Sequence, residues 1–283
     1  MVSQKDYEDI HCLSVEYFRK TFSKISLGES LIENSTFKQC YFEKLGMKNA
    51  VLKKIDFLQC EMIDCYMRHT EYEECEFIGC KFINCNLEKA KFSKSTFRYV
   101  AFENCLLNVD SIIKSAPTEA NLKLGFFREI YKNELQMGHS DIYDKLLFLI
   151  RETEAELFKC IFVSREVYYK DRYMKKDRFF SGIKYIGLKL SKFLWGYGLK
   201  LWRIFLSFVV LSFIFSFVYY IEESTRTLNE VIEFSIQNSL LSNLNNRNIQ
   251  VTSLSRWTGY FQNFCSIIYI AVLTSSFYRK VAR

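Results

Sequence analysis

Two hydrophobic rhythms divide this chain. From residue 37 to residue 107, every position whose number ends in 2 or 7 is large and apolar, fifteen in succession from Phe37 to Leu107. Two residues before each of these, positions 35 to 105 read Ser, Cys, Leu, Ala, Ile, Cys, Cys, Thr, Cys, Cys, Cys, Ala, Ser, Val and Cys. Between 35 and 109 there are 11 Lys or Arg and 10 Asp or Glu, and none falls on either position. A period of five fits neither an amphipathic helix nor an alternating strand, so the unit is a repeat rather than a single element. After Pro117 the spacing changes to three and four, as in "SDIYDKLLFLIRETEAELF", which predicts helices.

The five-residue unit resembles the pentapeptide-repeat family. That resemblance implies a right-handed quadrilateral β-helix over residues 35–109, each unit forming one side and four units one coil. Residues twenty apart should then stack. Positions 37, 57, 77 and 97 are all Phe, and 47, 67, 87 and 107 are Met, Met, Leu and Leu, so like sits on like. The phase continues upstream through Tyr17, Phe22, Leu27 and Ile32, which gives residues 1–34 the role of an N-terminal cap or extra coil.

Cysteine usage changes meaning in this frame. Seven of the ten cysteines, Cys40, Cys60, Cys65, Cys75, Cys80, Cys85 and Cys105, occupy the small inward position, where a thiol serves as a compact apolar residue. Zinc sites favour closer spacings, and His11, His69 and His139 complete no ligand pattern. No metal or cofactor is expected. No phosphate loop or nucleophile motif appears either, so an enzyme is not expected. The polar opening "MVSQKDYEDIHCLS" reads as lacking an export signal, which places the thiols in a reducing cytosol.

The second half reads as a membrane protein. Residues 110–180 predict a cytoplasmic helical linker that covers the end of the solenoid. Residues 181–203 mix lysines with aromatics, and Lys192, Trp195, Tyr197, Lys200, Trp202 and Arg203 are the expected membrane-interface anchors. Residues 204–221 hold eighteen uncharged positions, enough for a first span. Residues 257–278 form a second, more polar window, expected to be a second span followed by the tail 279–283. Basic residues lie before the first window and after the second, whereas 222–256 carries three basic and four acidic residues. The positive-inside tendency puts both termini in the cytoplasm of a bacterial inner membrane.

Within that loop, residues 227–241 predict a short re-entrant helix. The order span, short helix, polar stretch, span resembles the two-transmembrane pore module of the potassium-channel superfamily, and its fusion to pentapeptide repeats resembles a bacterial group built this way. The resemblance implies a homo-oligomer, a tetramer by analogy, forming an ion channel gated from the cytoplasm by a protein or ligand acting on the solenoid. The glycine-rich potassium filter is absent from "NSLLSNLNNRNIQVTS", so potassium selectivity does not carry over. Asn238, Ser239, Ser242, Asn243 and Asn245 are the filter candidates, and Gln262, Ser266, Ile270 and Leu273 the pore-lining and gate candidates. On architecture alone the expected role is a membrane-depolarising stress or phage-defence effector. The alternatives are a membrane-anchored protein-binding scaffold and a DNA mimic that inhibits a topoisomerase. The second needs an acidic surface, which 11 basic against 10 acidic residues do not supply. No nucleic-acid partner is expected.

Overall fold

The structure, a computed structural model, describes residues 15–222, 227–240 and 253–281. The chain divides into two compact units, Met1–Gly182 and Ile183–Arg283.

The first unit is built on the predicted β-solenoid. Strands of two or three residues pair in parallel at a register of twenty: Phe37 lies beside Phe57, Phe57 beside Phe77, and Phe77 beside Phe97. Two faces have five strands and a third has four. The fourth pairs only Asn86–Leu87 with Leu106–Leu107 and otherwise uses isolated bridges through Ser26, Gly46, Tyr66 and Asn86. That face is the one whose inward column is Leu27, Met47, Met67 and Leu87. The coil containing Tyr17, Phe22, Leu27 and Ile32 is regular, and all four side chains are buried. The solenoid therefore starts a coil earlier than the expected boundary at residue 35, with Glu16–Phe18 paired to Thr36–Lys38. Its last strand, Leu106–Leu107, lies close to the expected end.

The chain turns each corner through a left-handed residue at numbers ending in 4 or 9, from Arg19 (φ 51°) to Asn104 (φ 52°). Only Gly79 among them is glycine. Non-glycine residues rarely adopt this conformation. Here each corner from Arg19 to Asn84 is held by a rung bond to the next coil, such as Gln39 N–H to Leu58 O at 2.8 Å and Gly79 N–H to Arg98 O at 2.8 Å.

The linker begins with α1 (Val109–Ile112), followed by α2 (Ala120–Met137) and α3 (Tyr143–Val163), which pack against each other as a hairpin. Helix α2 ends at Gly138, left-handed at φ 75°, within the predicted breaker "MGH". It closes the solenoid: Phe126 stacks on Phe97 at 5.5 Å, extending the aromatic column that starts at Tyr17. Asn133, completely buried, takes the place of a next strand by accepting from Cys105 N–H and donating to Cys105 O, both at 2.8 Å. Ser111 does similar work for Phe92 N–H, and Asn108 for Ala90 O. A short α4 (Val167–Arg172) follows, and then α5 (Lys175–Trp195), within which the division between units falls.

In the second unit a tight turn, Gly196–Gly198, breaks the chain between α5 and α6 (Leu201–Glu222). All three of its residues are left-handed, Tyr197 included (φ 61°). Helix α6 has 22 residues, an eighteen-residue stretch of it has a mean hydropathy of 2.4, and it is the one helix among the described residues long and apolar enough to cross a membrane. The short α7 (Leu228–Ser239) lies inside the predicted 227–241, with Thr227 and Glu230 forming a reciprocal capping box at its start. Helix α8 (Ser253–Val281) has 29 residues. It is ample in length for a span, but its polar positions keep it out of that apolar class.

Candidate functional site

The second unit is held together by polar groups. Gln262 on α8 is the hub: its amide donates to Ser235 O (2.9 Å), Ser235 Oγ (2.9 Å) and Ser239 Oγ (2.7 Å) on α7. Its Oε1 accepts from Tyr219 on α6 at 2.8 Å and from Asn238 on α7 at 3.0 Å. Asn238 also donates to Gly259 O at 3.2 Å. Ser235 Oγ donates to Ser212 O (2.8 Å), and the Ser212 and Ser239 hydroxyls share a bond of 2.9 Å. Gln262, Ser235, Ser239, Tyr219 and Asn238 are all buried. The donors of the glutamine and the hydroxyls thus meet acceptors on three helices, and a small apolar cluster of Phe215, Tyr219 and Val231 packs alongside.

The sequence predicted three of these six residues for another purpose. Asn238 and Ser239, read as filter candidates, and Gln262, read as pore-lining, are brought together here, but as internal ties. Ser266 is buried as well, whereas Ile270 and Leu273 are exposed. The Gln262 and Ser266 half of the expected lining face is covered by the chain's own helices. Ser242, Asn243 and Asn245 lie outside the described residues. Tyr219, Ser212 and Ser235 were missed, because serine and tyrosine inside an apolar run carry no periodic signal of their own.

Most buried side chains on the two long helices carry polar groups, beside Ile204 and Phe215, and many of the large exposed ones are apolar. On α6, Ser212, Ser216 and Tyr219 are buried while Phe205, Phe213 and Phe217 are exposed. On α8, Gln262, Ser266 and Ser276 are buried while Phe261, Phe264, Ile267 and Phe277 are exposed. A water-soluble helix has the opposite arrangement.

The expected interface anchors divide by environment. Trp195 packs edge-on against Tyr269 with ring centroids 5.6 Å apart, so it is a packing residue of the unit. Trp202 is 62% exposed, with the Arg203 guanidinium 5.5 Å from its ring. Lys200 is exposed, and Lys192 and Tyr197 are half-buried.

In the solenoid, the inward cysteines are donors as well as spacers. Six of the seven thiols point at the carbonyl twenty-three residues earlier, as in Cys60 to Phe37 O at 3.2 Å, Cys80 to Phe57 O at 3.2 Å, and Cys85 to Met62 O at 3.2 Å, whereas Cys105 meets Glu103 O at 3.3 Å. Thr70 bonds Met47 O at 2.6 Å and Ser95 bonds Tyr72 O at 3.2 Å in the same way. Burial pushes the Cys75 thiol up to about 12. Among the described residues no cluster of three His, Cys, Asp or Glu could hold a metal ion. Outside, charges pair along the stack, as in Lys91 with Glu71 at 2.6 Å and Lys94 with Glu74 at 3.0 Å.

Comparison with known proteins bears on the first unit only. Residues 35–112 match the family model described as pentapeptide repeat region. Among solved structures, QnrB1, a plasmid-mediated fluoroquinolone resistance protein, is similar at 16% identity and a TM-score of 0.16, over 32% of this chain and 55% of that one. This chain thus spans about half the length of the resistance protein. A pentapeptide repeat protein of the Arabidopsis thaliana thylakoid lumen is similar at 15% identity and a TM-score of 0.18, over 38% of this chain and 86% of that one. Rfr23, from the cyanobacterium Cyanothece 51142, is similar at 9% identity and a TM-score of 0.17, over 35% and 98%. None of the curated proteins matches. With TM-scores this low, the assignment stands on the family model and on the register of twenty in this chain's own strands. The match to a pentapeptide repeat region thus covers residues 35–112, the part of the chain built as a solenoid.

Proposed function

We propose that this chain is a membrane-embedded pore subunit, in which α6 and α8 span the bilayer, α7 is a re-entrant helix, and the pentapeptide-repeat solenoid supplies a cytoplasmic protein-binding surface. The observation that carries the reading is the inverted polarity of the second unit, with serines, a tyrosine and a glutamine inside and phenylalanines and isoleucines outside. Backbone and side-chain polar groups in a bilayer need partners within the protein, and the ties centred on Gln262 supply them. A short helix tied to two long ones is also what a pore helix requires.

Two helices cannot enclose a lumen, so the reading requires a ring of subunits, four by analogy. Lining then falls to an exposed stripe of α8 that includes Ile267, Ile270 and Thr274, in place of Gln262 and Ser266. An apolar lining of this kind suits a gate that closes by dewetting. A trigger bound by the solenoid would bias that gate, which fits a depolarising effector in stress or defence. The test is single-channel recording on full-length protein in liposomes, with oligomeric state measured in parallel. Discrete currents from an oligomer support the pore. Silent bilayers containing confirmed oligomers would overturn it.

A second reading, a membrane-anchored scaffold, is favoured by the solenoid itself, whose ion pairs between coils leave its surface without a dominant charge. Exchanging α8 for a generic apolar helix separates the two: a scaffold keeps its cellular effect and a pore loses it.

A further inference from the structure

We infer that α8 packs against the α8 helices of further copies of this chain, and that their Asn263 carboxamides close a hydrogen-bonded ring around the shared axis. Tyr260, Asn263, Ile267, Ile270 and Thr274 follow one another on α8 at steps of three, four, three and four. That is the spacing of a seam between parallel helices. It lies apart from the face that α8 turns to its own chain, which carries Gln262, Ser266 and Tyr269. Four of the five seam residues are exposed and Asn263 is half-buried. Isoleucine at two successive seam positions, Ile267 and Ile270, favours bundles of three or four helices over pairs.

The unmet chemistry of Asn263 identifies the occupant of the seam. Its neighbour Gln262 makes five hydrogen bonds to α6 and α7. Thr274, on the seam, returns its hydroxyl to Ile270 O of its own helix at 2.8 Å. The carboxamide oxygen of Asn263, by contrast, is closed off from solvent and has no hydrogen-bond partner. Asn263 lies six residues past Trp257, about 9 Å along the helix, so in a spanning α8 it sits inside a hydrocarbon core about 30 Å thick. An acyl chain offers it neither a donor nor an acceptor. Another copy offers both. Identical helices around an axis bring the same residue to the same level, and a carboxamide, whose two ends exchange by a half-turn, donates to the next copy while accepting from the previous one. Such a ring leaves no end unpaired. It also fixes the register of the α8 helices, and with it the level at which Ile267 and Ile270 meet to form the gate.

The ring rests on the pore reading above and fails separately from it. Full-length Asn263→Cys protein in liposomes is oxidised with copper phenanthroline, and disulfide-linked peptides are identified by mass spectrometry. The expected product joins the introduced thiols of two copies, whereas Phe264→Cys, whose exposed side chain points about 100° further round the helix, should give none. Asn263→Leu keeps the size and helical preference of the residue but removes the amide. Energy transfer between labelled copies, followed as the protein is diluted with lipid, should show its association weakened roughly tenfold. Asn263→Gln, which keeps a carboxamide, should restore most of that loss. Equal disulfide yields at the two positions overturn the ring. So does Asn263→Leu protein that associates as the wild type does while its conductance changes, because the amide would then face only water in the lumen. Wild-type protein that stays monomeric at every lipid dilution overturns the ring and the pore reading together, whereas a conducting oligomer that shows neither effect overturns only the ring.

Discussion

A buried thiol in this solenoid has two tasks, filling a small space and donating to a carbonyl in the coil below. This explains why Cys, Ser and Thr interchange at one position while no charged residue occurs there. Such a thiol is also protected. Cys75 in the fold ionises near pH 12, against an ordinary value of 9.0. The folded state therefore keeps its proton where the unfolded chain has lost it. The stability this contributes is complete below about pH 9 and declines as pH rises toward 12, by about 1.4 kcal/mol per pH unit. Urea unfolding followed across that range should show the alkaline loss, and Cys75→Ser should reduce its slope. Native alkylation near neutral pH should label half-buried Cys160 before any of the seven solenoid cysteines, as read by peptide mass spectrometry. At the same scale, Phe77 touches stacked rings above and below, at 5.0 Å to Phe57 and 4.7 Å to Phe97. Phe77→Ala should cost about 3–5 kcal/mol, because a solenoid coil held from both sides cannot collapse into the cavity.

At the scale of elements, the ends of the solenoid are where the physics is least periodic. An interior coil satisfies its backbone through the next coil; the last one needs side chains. Asn133 supplies both a donor and an acceptor to Cys105, so Asn133→Leu leaves two buried backbone groups unpaired. The expected cost is about 2–5 kcal/mol, measured as a lower denaturation midpoint, with Asn133→Gln failing to restore it because the longer side chain misplaces the amide. This residue also marks what could be read in advance. The coils, the Phe column and the helical closure follow from a repeated pattern in which any single position is confirmed by its neighbours twenty residues away. Asn133 occurs once, on a helix whose spacing predicts only an apolar face. Gln262 is similar: its place on α8 was legible, but whether it faces a lumen or its own helices depends on packing that no period encodes. The left-handed corners were hidden for the opposite reason, since rung bonds impose on Lys, Glu and Gln a conformation that local preference assigns to Gly and Asn.

For the whole molecule, the proposed pore requires two bilayer crossings, and hydropathy alone gives the wrong weight to α8. Averaging along its sequence counts Gln262, Ser266 and Ser276 as if lipid had to solvate them, yet all three are buried inside the unit. The surface that α8 would present to lipid is Phe261, Phe264, Ile268 and Phe277. Helix α6 needs no such correction, because its inward residues are small hydroxyls among a majority of large apolar side chains. The proposed pore predicts two spans, with Arg279 and Lys280 on the same side as Lys189, Lys192 and Arg203 before the first. A reporter active only outside the membrane, fused after Asn245, should be active, and the same reporter fused after Arg283 should be silent. Activity at both junctions would leave α6 as a lone anchor and remove the pore. Gln262→Leu tests the same point independently. In a two-span protein it should loosen α7 and lower the thermal midpoint in detergent, whereas in a single-span protein a change on α8 should leave the anchoring of α6 unchanged.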